Sequence, residues 1–233
     1  MLFRELGLIE PVLQAVEAEG YTMPSPIQAG AIPPALEGRD VLGIAQTGTG
    51  KTAAFALPAI HRLFAGALPK PGARRPIRAL VIAPTRELAM QIRDSFIAYG
   101  RKTPLRVIAV VGGISQEIQT RALRNGVDAL IATPGRLVDL MRQRLIDLSA
   151  VEMLTLDEAD RMFDMGFAPD LKFITAALPA KRQNMLFSAT MPAPIRAVAE
   201  KYLTDPQEIR IQSAISTNED IEQFYWLVQG TSQ

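Results

Sequence analysis

The sequence predicts an α/β domain, a mostly parallel sheet with helices on both faces. Short apolar runs recur along the chain, each about the length of a buried strand and without the polar alternation of a one-sided sheet. Helix-length amphipathic segments separate these runs. The chain has 233 residues, 48% hydrophobic and 21% charged, enough for one large α/β domain. Strand and helix in regular alternation imply parallel pairing through right-handed crossovers. In such sheets ligands bind outside the carboxyl ends of the strands.

In chain order, strands are expected at 41–45 (VLGIA), 79–83 (ALVIA), 107–111 (VIAVV), 129–132 (ALIA), 153–156 (MLTL) and 185–187 (MLF). Helices are expected over 51–65, 87–99, 115–125 and 135–143. The stretch 68–76 (LPKPGARRP), dense in Pro, Gly and charge, reads as an exposed loop. A last strand is expected at 208–211 (EIRI) and a linker at 213–220. The segment FYWLV at 224–228 then reads as a new strand whose aromatics have nothing left to pack on. The expected division is therefore one domain over 1–212, with 213–233 as linker and first residues of a second.

The N-terminus carries acidic residues early and no long apolar run, which predicts neither a signal peptide nor a membrane span. The absence of cysteine excludes disulfides and thiolate metal sites, and fits a reducing, cytoplasmic setting. His61 is the single histidine, so a His-based metal site or triad is excluded. The net charge is only +1, yet residues 70–144 hold 14 Lys or Arg against five Asp or Glu, a net of +9 that leaves −8 elsewhere. Charge alone fits a solvated surface and a nucleic-acid face equally well.

Two motifs carry chemistry. AQTGTGKT at 45–52 lies between the first strand and the first helix. Its glycines, Gly48 and Gly50, allow the backbone of Gln46, Thr47 and Thr49 to turn N–H groups toward phosphate oxygens. The helix N-terminus adds a favourable dipole. Lys51 would reach the β- and γ-phosphates, and the Thr52 hydroxyl would ligate magnesium. The usual first Gly of this motif is replaced here by Ala45. DEAD at 157–160 ends a buried strand. Asp157 there would hold a phosphate-bound magnesium ion and Glu158 would orient the attacking water. Adjacent acids at a strand end are also ordinary helix caps. The phosphate loop upstream favours the catalytic reading.

At this point the chain resembles the N-terminal, RecA-like domain of a DEAD-box RNA helicase, with a spelling nearest to the bacterial RhlE-type group. The resemblance runs from Phe3 to about residue 212, with motifs in family order and spacing. GYTMPSPIQ at 20–28 matches the Q motif, with Phe3 as its upstream aromatic and Ser25 where the family usually has Thr. The resemblance implies that Gln28 reads the adenine edge and that Tyr21 packs on the base. A Gln amide can both donate to and accept from adenine, which would select ATP over GTP. On its own, Gln28 is an ordinary helix-start residue.

The resemblance also implies an RNA-backbone surface. Pro84, Thr85 and Arg86 match motif Ia, Gly112 and Gly113 the GG element, and Thr133, Pro134 and Arg136 motif Ib. Backbone N–H groups, Thr hydroxyls and Arg guanidinium groups suit phosphates. Without the family each would be a turn or helix cap. All three elements lie inside the basic segment. Ser188 and Thr190 match motif III, whose hydroxyls are expected to bond the acidic motif and couple ATP to RNA. A helix cap is the plainer alternative, and both can hold. Asp160 is expected to contact the second domain instead of the nucleotide.

The implied whole protein is an RNA-dependent ATPase that locally separates duplexes, with ATP and Mg²⁺ as its cofactors. Its arginine finger lies in a second RecA-like domain. The 233-residue chain alone is then expected to bind nucleotide weakly and hydrolyse it hardly at all. An ATP-gated RNA clamp and a DNA helicase of related fold are the alternatives, and intact Lys51, Asp157 and Glu158 favour the enzyme. Protein partners are not readable from the sequence.

Overall fold

A computed structural model describes residues 1–66 and 75–211. The expected linker at 213–220, the strand at 224–228 and most of the loop at 68–76 lie outside the described residues. The chain opens with a short 3-10 turn, Phe3–Leu6, followed by α1 (Glu10–Ala18) and α2 (Pro26–Leu36). The alternating part then runs β1 (Val41–Ile44), α3 (Lys51–Ala65), β2 (Ala79–Ile82), α4 (Arg86–Gly100), β3 (Val107–Val110), α5 (Gln116–Arg124), β4 (Ala129–Ala132) and α6 (Pro134–Arg142). It continues with β5 (Met153–Leu156), α7 (Ala159–Asp164), α8 (Ala168–Ala176), β6 (Gln183–Ser188), α9 (Ala193–Tyr202) and β7 (Gln207–Arg210).

The strands form one sheet in the order β3-β4-β2-β5-β6-β1-β7, and every pairing is parallel. The continuous apolar runs follow from this. Along β2, Ala79 and Val81 pack into the core beneath α1 to α4, while Leu80 and Ile82 pack into the core beneath α5 to α9. Leu130 and Ile131 of β4, and Leu186 and Phe187 of β6, divide in the same way. With both faces covered, neither parity of a strand can be polar. Gly43 in β1 is the local exception in size, because a Cβ there would run into the Phe187 ring on β6.

Strand β6 starts two residues earlier than its apolar run predicts. Gln183 and Asn184 are buried polar residues, and both are satisfied. The Gln183 amide donates to the carbonyls of Ala35 and Arg39 at 3.0 and 2.6 Å, and the Asn184 N–H reaches Asp40 Oδ1 at 2.7 Å. Buried polar groups are tolerated where they are bonded, and hydrophobicity cannot report that. Among the described residues no helix is long and apolar enough to cross a membrane.

Candidate functional site

Six loops leave the carboxyl ends of β1 to β6, and they carry the predicted motifs. The phosphate loop follows β1. Gly48 and Gly50 have φ of +82° and +92°, which side chains resist, so the turn into α3 depends on them. Lys51 is the first residue of α3 and is buried, with Nζ donating to the Ala45 carbonyl at 2.9 Å. Thr49 Oγ1 donates to the Gln46 carbonyl at 2.7 Å. Gln46, Thr47 and Gly48 stand exposed at the tip.

The segment before α2 grips this loop. Ser25 and Gln28 form a capping box: the Ser25 N–H donates to Gln28 Oε1 at 2.9 Å. The same two side chains reach across to the phosphate loop. Ser25 Oγ donates to the Thr49 carbonyl at 2.7 Å, and Gln28 Nε2 to the Gly50 carbonyl at 3.1 Å. Both ends of the Gln28 amide are therefore bonded to protein, and reading an adenine would require exchanging those bonds. Gln28 is indeed a helix-start residue, and it also braces the loop.

Tyr21 stacks on Phe3, with ring centroids 6.1 Å apart and planes 18° apart, and remains 39% exposed. Its hydroxyl pairs with the Tyr99 hydroxyl at 2.9 Å. Burial, helped by that hydrogen bond, pushes the Tyr99 phenol above its ordinary range. Tyr99, near the end of α4, is a residue the sequence reading passed over. Its partner is 78 positions away, so no local pattern could reveal it.

The acidic motif follows β5. The Asp157 N–H continues the ladder to the Ile82 carbonyl at 3.0 Å, which holds the carboxylate at the strand end. Burial pushes the Asp157 carboxyl up to about 6, against the pull of the nearby Lys51 charge and with a further push from Glu158. Glu158 has φ 51° and ψ 52°, a left-handed conformation that costs a non-glycine residue on the order of 1–3 kcal/mol. It occupies the N-cap position of α7, but its side chain makes no capping bond. Its carboxylate is 3.7 Å from Arg161 Nη1. The geometry thus removes the plain helix-cap explanation for Glu158.

Asp160 joins this loop to the one after β6. Its carboxylate accepts from Thr190 N–H at 2.9 Å and Thr190 Oγ1 at 2.8 Å. Burial would raise its pKa, but the hydrogen bonds, led by those from Thr190, outweigh burial and hold it below the ordinary carboxylate value. The Ser188 hydroxyl sits under the start of α7, where it accepts the Asp160 backbone N–H at 3.3 Å, and it adds to the hold on the Asp160 carboxyl. The larger share of that hold comes from Thr190.

Thr52 and Asp157 supply a hydroxyl and a buried carboxylate, hard oxygen donors of the kind that suit magnesium alongside substrate phosphates. Among the described residues no cluster of three or more His, Asp or Glu could hold a metal by itself. The donor set therefore fits an ion brought and shared by phosphates.

The remaining loops form the other half of the edge. Thr85 caps α4, its Oγ1 accepting from the Leu88 N–H at 3.2 Å. Arg86 is exposed and donates to the Gly113 carbonyl at 3.3 Å, joining the loops after β2 and β3. Gly112 and Gly113 are exposed, and Gly113 has φ +73°. Thr133 precedes α6, and Arg136 in its first turn has Nη1 buried with no acceptor among the described residues. Pro84 and Pro134 are buried, so their rings shape the turns and contribute no surface for a ligand. A cavity of about 110 Å³ between Ile77, Leu123, Val127 and Leu145 lies beside the amino ends of β2 and β4, away from all of these loops.

The family model that describes the DEAD/DEAH box helicase matches residues 25–198. The chain is 46% identical over 229 residues to ATP-dependent RNA helicase DeaD of Klebsiella pneumoniae, covering 98% of this chain and 34% of that protein. It is 47% identical over 229 residues to the protein of that name from Escherichia coli strain K12, covering 98% and 35%. With that of Haemophilus influenzae the identity is 45% over 231 residues, covering 98% and 36%. The chain thus spans about a third of the length of the curated relatives it matches. These matches support the helicase family without singling out its RhlE-type group.

Proposed function

The chain belongs to the DEAD/DEAH box helicase family, and on that premise we propose that it is the ATP-binding domain of an ATP-dependent RNA helicase. The observation that carries the proposal is the sheet order. β5, β6 and β1 are neighbours, so the acidic motif, Ser188–Thr190 and the phosphate loop meet along one stretch of the sheet edge. β3, β4 and β2 are the adjoining neighbours, and their loops extend the same edge with Arg86, Arg136 and two exposed glycines.

In this reading Gly48, Gly50 and the loop amides cradle the phosphates, and Lys51 exchanges the Ala45 carbonyl for a phosphate oxygen. Tyr21 and Gln28 hold the adenine. Thr52 and Asp157 hold the magnesium ion, which when bound offsets the phosphate charge. Glu158 orients and polarises the attacking water. Thr85, Arg86, Gly112, Gly113, Thr133 and Arg136 grip the RNA backbone without reading sequence. Asp160, Ser188 and Thr190 couple the two halves. Residues 1–212 form the first RecA-like domain and 213–233 lead into a second, which supplies an arginine finger worth about 10³–10⁵ in rate. A cytoplasmic setting fits the absence of cysteine.

The test is RNA-stimulated ATP hydrolysis and release of a short RNA duplex by the complete protein, beside the Glu158→Gln variant. The proposal predicts both activities in the wild type, neither in the variant, and little stimulation by DNA. Equal duplex release by the two proteins would instead support an ATP-gated clamp. Brisk RNA-stimulated hydrolysis by the 233-residue chain alone would overturn the assignment of the arginine finger to a second domain.

A further inference from the structure

The loop bearing Gly112 and Gly113 is held from beneath by one side chain. β3 leaves its partner at Val110, opposite Ala132 of β4. From Val111 on, the ladder is replaced by Gln119 of α5, which is 4% exposed. Its Oε1 accepts the Val111 N–H at 3.0 Å, and its Nε2 donates to the carbonyls of Val111 and Ile114, both at 3.1 Å. One amide thus pins the residues on either side of the two glycines. The N–H groups of Gly112 and Gly113 have no acceptor among the described residues. Arg86 holds the same turn from outside through the Gly113 carbonyl. The first turn of α5 is tied in turn to the end of α6 by a reciprocal amide pair, Gln116 with Gln143, at 2.7 and 3.3 Å. That frame links the glycine loop to the helix that begins at Thr133–Arg136.

We infer that Gln119 is a positioning residue for RNA, one that fixes the Gly112–Gly113 turn so that its free N–H groups face a phosphate. The inference rests on the reading of that turn as a backbone-binding element. Gln119 itself touches no RNA. A satisfied core glutamine would distribute its bonds for its own sake. Here all three strong bonds go to a four-residue segment that is otherwise unladdered and exposed at its tip.

The experiment uses the complete protein, a labelled single-stranded oligouridine, and a non-hydrolysable ATP analogue with magnesium. Gln119→Met keeps the length and removes both the donor and the acceptor. It is expected to weaken RNA binding about tenfold or more, the loss of one contact to a charged group, with nucleotide affinity in the absence of RNA unchanged. Gln183→Met, which removes an equally buried amide at the amino end of β6, is expected to lower the Tm without changing RNA affinity. Wild-type RNA binding by a folded Gln119→Met variant overturns the inference.

Gly112→Glu separates this failure from failure of the underlying reading. A Cβ at Gly112 meets nothing within 4 Å, so the carboxylate is accommodated and repels phosphate. If that variant binds RNA normally, the turn is not an RNA element and the inference falls with it. If Gln119→Met does not fold, hydrogen exchange at the Val111 amide in the wild type decides. Slow exchange supports the brace, and exchange as fast as in an open loop overturns it.

Discussion

The two halves of the sheet edge are built to different tolerances. Along β5, β6 and β1 the proposed functional groups are buried or bonded to one another's loops: Lys51 to Ala45, Gln28 to Gly50, Ser25 to Thr49, Asp160 to Thr190. Along β3, β4 and β2 Arg86, Gly112 and Gly113 stand exposed, and the turn that carries the glycines is fixed from behind by Gln119. The difference matches the tasks proposed. Phosphoryl transfer is positioning plus electrostatics and gains from preorganised, water-poor geometry. Holding a nucleic-acid backbone needs charge and N–H groups in solvent, and tolerates their motion.

The sharpest way to break the comparison is Glu158→Gln in the complete protein. The change keeps shape and removes the group that polarises water. ATP hydrolysis should fall by about 10²–10⁴, the usual contribution of a general base, while ATP and RNA affinity stay near wild type. A fall below tenfold would move the water-positioning role elsewhere. Gln28→Ala comes next, because it touches both a ligand contact and the loop brace. Preference for ATP over GTP should drop about 5- to 150-fold, as a bidentate amide–adenine pair is worth about 1–3 kcal/mol. Loss of the capping box should also lower stability by about 1 kcal/mol, read by thermal unfolding without nucleotide.

On the other half, Arg86→Ala should weaken RNA binding by about tenfold whatever the base sequence. It should also reduce the slope of log affinity against log salt by about 0.7. Affinity for ATP in the absence of RNA should not move. A variant that altered base preference instead would show that this half reads sequence, contrary to its composition of guanidinium and glycine.

The two halves also differed in how far the sequence exposed them. The phosphate loop and the acidic motif are contiguous, because a single turn or strand end has to present several groups at once. Strand positions were legible for a related reason: burial on both faces leaves an unbroken apolar run, as in ALVI at 79–82. The early start of β6 at Gln183 was not legible, since its polarity is compensated by partners more than 140 positions away. The elements of the RNA half are short and common, and only the sheet order brings Arg86 to Gly113. Gln119 was missed because a polar residue on an amphipathic helix reads as surface. The Tyr21–Tyr99 hydroxyl pair joins two segments with no shared pattern.

The smallest expected effect lies where the acidic motif meets the loop after β6. Asp160 has a depressed pKa, so its folded value lies below the unfolded one, about 3.9 for an aspartate. Such a group adds stability that is fully present above the unfolded value and is lost as the pH falls through the folded one. Asp160→Asn keeps an oxygen that can accept from Thr190 but removes the charge. Because the site is partly open to solvent, the loss at pH 7 should be about 1 kcal/mol or less in urea unfolding. As the pH falls from about 3.9 through the lower folded value the wild-type carboxylate is protonated too, and the gap between the two proteins should close. Thr190→Val removes the hydroxyl donor and leaves the backbone N–H, so it should destabilise less than Asp160→Asn and show the same convergence in acid. If the gap instead stayed constant with pH, the carboxylate would not be held by its donors in the free protein. Coupling between the acidic motif and the Ser188–Thr190 loop would then have to be assembled by ligand, and the nucleotide half would be no more preorganised than the RNA half.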